Sequence, residues 1–185
     1  MDHFLEEVVV QKKRTLNEIL YIVSWILIVM TGAVALMEFS GVLSLLSAGT
    51  SVVDLLPDIL LALVSGGLCA FMVLRIDRLK TEFEYTFTNG ALDFAMVFNN
   101  KKRKNLGTLN VRNVDAFGKV NSEQFQRYVS MKDVKQDRWF LNREAELYYF
   151  YFQKDNNKRL IVIEPSEEMV KNIQQYLPQG VGRLM

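Results

Sequence analysis

Ile19-Leu-Tyr-Ile-Val-Ser-Trp-Ile-Leu-Ile-Val-Met-Thr-Gly-Ala-Val-Ala-Leu-Met37 holds no charged residue between Glu18 and Glu38. As a helix rising 1.5 Å per residue it reaches roughly 28 Å, close to the ~30 Å hydrocarbon core of a bilayer. A second run, Leu55 to Leu74, is free of charge from Ile59 on, with Pro57 and Asp58 at one end and Arg75 just past the other. Pro57 suits a first helical turn, where its missing N–H is not needed, and Asp54 is a candidate cap before it. Nothing else in the chain is apolar enough to cover two helices that are greasy on every face. They are therefore predicted to be two membrane spans, at about 19–37 and 55–74 of a hairpin covering 18–76. A cleaved signal peptide is the competing reading of the first run, but the run is long for that role and a second span follows at once.

Charge sets the expected orientation. Lys12, Lys13 and Arg14 precede the first run, Arg75, Arg78 and Lys80 follow the second, and the stretch from Glu38 to Asp58 carries only acids. The positive-inside rule then places both termini in the cytoplasm and the loop outside, as expected of a multi-pass protein of the cell membrane. Of 22 Lys and Arg and 21 Asp and Glu, 3 and 7 fall before Arg75, which leaves 19 against 14 from Arg75 on, a net +5 on the side where anionic lipid is met. No Asp, Glu, Lys, Arg or His lies in the middle of either run, so a proton path or ion pore has no residue to carry it and anchoring is the expected role.

Within the second run Ala62, Gly66 and Ala70 recur at i, i+4 and i+8, a spacing of small residues that lets two helix backbones approach. The stripe either packs on Gly32 and Ala35 of the same molecule or forms a homodimer. Cys69 is the single cysteine, so neither a disulfide framework nor a cysteine metal site is expected. The stretch 39–51 is apolar for a loop and is expected along the outer interface. Residues 1–17 are expected as a cytoplasmic amphipathic segment: Phe4, Leu5, Val8 and Val9 share one helical face, whereas Val8-Val9-Val10 favours a strand. His3, the only histidine, is expected to be solvated.

From Thr81 the period changes to two. Phe83, Tyr85 and Phe87 alternate with polar residues, Asn89-Gly90 marks a type I′ turn, and Leu92, Phe94, Met96 and Phe98 run on. A second turn, Asn99 to Asn105, contains Lys101, Lys102, Arg103 and Lys104. Strands are expected near 106–111, 114–120 and 138–141, with a short helix around Phe125, Tyr128 and Val129. Leu147 to Phe152 and Arg159 to Ile163 form a further hairpin across Asp155-Asn156-Asn157, apolar on both faces as central strands are. A helix follows Pro165, with Met169, Val170, Ile173, Tyr176 and Leu177 on its buried face, and ends at Pro178.

Six or seven antiparallel strands and one C-terminal amphipathic helix are the plan of a pleckstrin-homology-like (PH-like) barrel or sandwich closed by that helix. The fold class expected is a membrane α-helical hairpin plus an α+β domain at 79–178, with 179–185 a tail. The stretch Phe83 to Asp93, the basic Lys101-Lys-Arg-Lys104 and the ending Leu160-Ile-Val-Ile-Glu-Pro-Ser166 resemble a family of two-span bacterial membrane proteins with a bacterial PH-like cytoplasmic domain. That resemblance implies membrane location and the barrel, and brings no catalytic residues.

An enzyme is not expected: the domain has no histidine, and no glycine-rich phosphate loop follows a strand. No cofactor, metal or nucleic-acid partner is expected either. Two functions remain. The domain serves protein interaction or assembly at the inner face, with the rings of Tyr148 to Phe152 as a candidate patch. Alternatively it binds anionic lipid head groups through Lys101, Lys102, Arg103 and Lys104, aided by Lys154, Lys158 and Arg159. The plainer role for these cations is to keep a turn soluble and blunt a sheet edge.

Overall fold

A computed structural model describes residues 3–154 and 157–181. The chain divides into two compact units, one formed by Lys13–Lys80 and the other by the residues on either side of it.

The first unit is a pair of helices, α1 (Arg14–Ser47) and α2 (Leu56–Arg75), followed by a 3-10 segment, Ile76–Lys80. Both helices are long and apolar enough to cross a membrane. Their 34 and 20 residues correspond to roughly 51 and 30 Å of axis. The stretch expected as an outer loop, 39–51, is helical as far as Ser47, because nothing between Glu38 and Ser47 stops a helix. Asp54 does not cap α2 either. Leu55 is the N-cap with no side-chain bond, and Pro57 lies in the first turn.

The contact face of α2 is Ala62, Ser65, Gly66 and Cys69, whereas Ala70 is exposed. A residue eight positions on has drifted about 80° around a helix of 3.6 residues per turn, which carries Ala70 off the seam. A Cβ added at Gly66 would meet the Ala35 Cβ at 3.7 Å, and one at Gly32 would meet the Cys69 Sγ at 3.4 Å. The remaining surface is exposed apolar side chains, Ile22, Met30, Leu36, Leu63 and Leu74 among them, which fits a two-span membrane protein.

The second unit contains two four-stranded sheets. Sheet one joins β1 (Phe4–Val9), β2 (Thr81–Thr88), β3 (Ala91–Phe98) and β4 (Lys102–Asn110) in that order, antiparallel throughout. The N-terminal segment is therefore a strand, paired to β2 from Phe4↔Thr88 to Val9↔Phe83. The β domain is built from both flanks of the helical pair rather than from residue 79 onward alone. Asn89 (φ 50°) and Gly90 (φ 94°) make the expected turn between β2 and β3, and a Cβ at Gly90 would lie 2.9 Å from the Tyr176 ring. The next turn is shorter than the sequence suggests: Asn99 and Asn100, both at positive φ, reverse the chain, so Lys102, Arg103 and Lys104 belong to β4.

Sheet two has the order β5-β7-β8-β6, from β5 (Ala116–Lys119), β6 (Val134–Trp139), β7 (Tyr148–Lys154) and β8 (Asn157–Ile163). The turn expected at Asp155-Asn156 lies outside the described residues. The β6–β8 pair is parallel, which corrects the expectation of a purely antiparallel set; helix α3 (Glu123–Ser130) precedes β6, and β6 runs alongside β8 in the same direction. No closed barrel forms among the described residues: sheet one stops at β4, where a 3-10 turn, Val111–Asn113, leads away to β5.

The inner faces of both sheets share one core with Met169, Val170 and Ile173 of helix α4 (Glu167–Tyr176). Ser166 caps α4, accepting from the Met169 N–H at 3.2 Å. Each fully buried ring or branched side chain here contributes about 1.5–3 kcal/mol of burial, so the pattern on β2 and β3, Phe83, Tyr85, Phe87, Leu92 and Phe94, fixes which face points inward.

Candidate interaction surfaces

The basic stretch lies at the open edge of sheet one. Lys101 is in the turn; Lys102, Arg103 and Lys104 begin β4, all of them exposed. Period-two alternation puts Lys102 and Lys104 on one face and Arg103 on the other, where its Nη2 is 2.8 Å from the Glu84 Oε2. Arg103 is 61% exposed in that pair, which is worth at most about 1 kcal/mol. Among the described residues Lys102 and Lys104 have no ion pair. Lys158 and Arg159 are on β8, an inner strand of the other sheet. Arg159 donates to Asp137 of β6, so its charge is already matched. The candidate cations are thus divided between two sheets.

The aromatic run on β7 offers no surface. Tyr148, Phe150 and Phe152 enter the shared core, whereas Tyr149 and Tyr151 point the other way and are covered by α3: Tyr128 stacks on Tyr151 at 4.1 Å and Phe125 packs on Tyr149 at 5.3 Å. All five rings are buried, because a strand in the middle of a sheet with a layer on each side has no free face. This removes the aromatic patch as the basis for a partner site. Burial also pushes the phenols of Tyr85, Tyr148 and Tyr149 above their ordinary pKa.

The other open edge of sheet one is β1. The Asn89 N–H donates to the His3 carbonyl at 3.0 Å, so odd-numbered residues of β1 turn their backbone groups toward β2, and Phe4, Glu6 and Val8 turn theirs to the open side. The same alternation continues past the strand. Asn142 donates from Nδ2 to the Val10 carbonyl at 3.0 Å and accepts from the Lys12 N–H at 2.8 Å, occupying the place of the N–H and C=O of one residue of a neighbouring strand.

Asn142 is itself held by Glu164, whose carboxylate is buried at the end of β8. Glu164 accepts from the Asn142 Nδ2 at 2.8 Å, the Asn142 N–H at 2.9 Å and the Leu141 N–H at 3.4 Å. Its own N–H donates to the Tyr85 hydroxyl at 3.3 Å, and that hydroxyl donates to the Trp139 carbonyl. Glu7 accepts from the Ser166 N–H at 3.0 Å, tying the inner side of β1 to the start of α4.

Two clefts flank this sheet. One of about 330 Å³ runs beside β1, between Glu7–Val10 and Glu164–Ser166 with Asn142 at its end. The other, about 510 Å³, opens on the outer face where Leu106 bulges from β4, and is lined by Thr86, Asp93, Arg103 and Asn105. Among the described residues no group of three or more His, Cys, Asp or Glu is placed to hold a metal ion. Neither Asn142 nor Glu164 had a signal in the sequence. For β1 the sign in the sequence was the β-rich Val8-Val9-Val10.

No curated protein and no solved structure matches the chain. A family profile described as Bacterial PH-like domain (DUF6106) matches residues 1–183, nearly the full length and thus both flanks of the helical pair. The chain belongs to this bacterial PH-like domain family.

Proposed function

We propose that the protein is a non-enzymatic PH-like module, anchored by two spans, that docks a partner protein at the inner face of the cell membrane by strand addition. The domain is read as an open sandwich whose gap α4 fills. Pairing of β1, which precedes α1, with β2, which follows α2, supports two crossings, since both flanks of the helical pair then lie on one side. Lys12, Lys13 and Arg14 on one flank and Arg75, Arg78 and Lys80 on the other favour the cytoplasmic side.

The observation that carries the docking reading is the unclosed sheet one, whose two edge strands leave backbone donors and acceptors without a strand partner among the described residues. A photo-crosslinking residue placed at Phe4 or at Lys102 in living cells tests it. Adducts with another protein at one of these edges are expected; adducts with lipid alone at both refute it.

The exposed cations favour a second reading, anionic head-group binding by Lys101, Lys102 and Lys104, each adding about 1 kcal/mol near the surface. In nanodiscs containing phosphatidylserine the amides of 101–104 should then exchange more slowly than in phosphatidylcholine. Equal exchange in both refutes this reading. Ala70 on the exposed side of α2 leaves a homodimer as a separate expectation, tested by crosslinking there.

A further inference from the structure

Resting on the docking reading, we propose that the docking edge is β1 and that its occupant is a partner protein offering an extended segment, apolar at alternate positions around one basic residue. Four observations converge on it.

The backbone groups of Phe4, Glu6 and Val8 face the open side, and just beyond them the Asn142 amide already makes the two bonds a neighbouring strand would make, to Val10 and Lys12. A strand laid along β1 continues a ladder whose last rung is in place. Secondly, β1 carries no lysine, no proline and no bulge, and its charges, Glu6 and Glu7, select against a like-charged neighbour rather than against every strand. On β4 there are both, Lys102 and Lys104 with a bulge at Leu106, where the Gly107 N–H is taken by the Asn105 side chain at 2.8 Å. Edge strand β5 has only four residues, and β6 carries Lys135, Asp137 and Arg138.

Thirdly, the outer face of β1 specifies the incoming side chains. Phe4 is 63% exposed and Val8 48%, with Glu6 between them. The row through Glu6 continues to Thr86 and, a strand further on, Asp93, so a residue set beside Glu6 faces the Glu6 carboxylate with no cation in that row. An opposite charge stabilises such a cross-strand position and a like charge destabilises it. Fourthly, the 330 Å³ cleft beside β1 gives room for the side chains on the other face of the added strand, against Val9, Pro165 and Ser166. A second copy of the chain fits less well: two β1 edges would bring Glu6 and Glu7 of both copies together.

The test uses the full chain in phosphatidylcholine nanodiscs and a capped peptide, Thr-Val-Thr-Lys-Thr-Val-Thr, against the same peptide with Glu in place of Lys. Hydrogen exchange is read at Phe4, Glu6 and Val8. The lysine peptide should slow these three amides and bind about tenfold more tightly than the glutamate peptide, with Glu6→Lys reversing the order. Val8→Pro removes an N–H that points away from β2, so the domain keeps its ladder while peptide binding weakens about tenfold. Should that variant unfold, the Glu6→Lys reversal still decides.

No protection of β1 by either peptide overturns the proposal, as does protection at Lys102–Asn105 instead. Self-association that Val8→Pro abolishes, with no peptide bound, would give the edge to a second copy and also overturn it. The docking reading itself falls only if in-cell protein adducts are absent at both edges.

Discussion

Replacing Asn142 by Ala should loosen β1 from the domain while leaving the rest of the core in place. The side chain makes three bonds: to the Lys12 N–H, to the Val10 carbonyl and to Glu164. The first two lie at the surface, where water substitutes, and contribute about 0.5–1 kcal/mol each. The third serves a buried carboxylate and is worth about 1.5–3 kcal/mol, though Glu164 keeps the backbone N–H groups of Leu141 and Asn142. A loss of about 2.5–5 kcal/mol is therefore expected, against the 5–15 typical of a whole domain. The assay is urea unfolding of the full chain in detergent micelles, followed by Trp139 fluorescence in a Trp25→Phe background, because Trp139 is buried in the core. Hydrogen exchange gives the local readout: the amides of Leu5, Glu7 and Val9, which face β2, should exchange faster in the variant. A change below about 0.5 kcal/mol with those amides unaltered would refute the role given to Asn142.

Tyr85→Phe leaves the Trp139 carbonyl and the Glu164 N–H without their buried partner, at a cost of about 2–4 kcal/mol in the same urea assay. It also changes the alkaline response. Burial holds the folded phenol neutral, so its stabilisation is whole below the ordinary phenol pKa of about 10 and is lost as pH rises from there, by up to about 1.4 kcal/mol per pH unit. Unfolding measured between pH 9 and roughly 11 should show a shallower fall for the variant. Gly90→Ala puts a Cβ 2.9 Å from the Tyr176 ring at a φ of 94°, and should cost about 1–3 kcal/mol by thermal unfolding. Gly66→Leu should lower the melting temperature of the helical pair in micelles, since a Cβ there already touches Ala35 and the rest of the side chain has to force α1 and α2 apart.

Local chemistry explains which features were legible in the sequence. The two apolar runs, the Asn89-Gly90 turn and the amphipathic face of Met169, Val170 and Ile173 are each written in consecutive residues, and each is present in the structure. What escaped depends on residues far apart. β1 pairs with a strand some 80 positions on, and its own six residues suit helix and strand equally. The parallel approach of β6 to β8, and the bond of Asn142 to β1, come from chain crossings that periodicity does not encode. Lys102, Arg103 and Lys104 looked like a turn because charge runs favour turns. Two asparagines at positive φ had already reversed the chain, and the cations became an edge. The rings of Tyr149 and Tyr151 looked available because the short helix that covers them was recognised without its place on the sheet.

We propose one β domain, stitched from both flanks of a two-span hairpin and held on the cytoplasmic side. Single cysteines at Glu6, Ser51 and Lys102, each in a Cys69→Ser background, can be challenged with a membrane-impermeant maleimide on intact cells and again after permeabilisation. Label on Ser51→Cys alone in intact cells, and on all three once the membrane is opened, is the predicted result. Label on Glu6→Cys or Lys102→Cys from outside, or protection of Ser51→Cys until the membrane is opened, would contradict it.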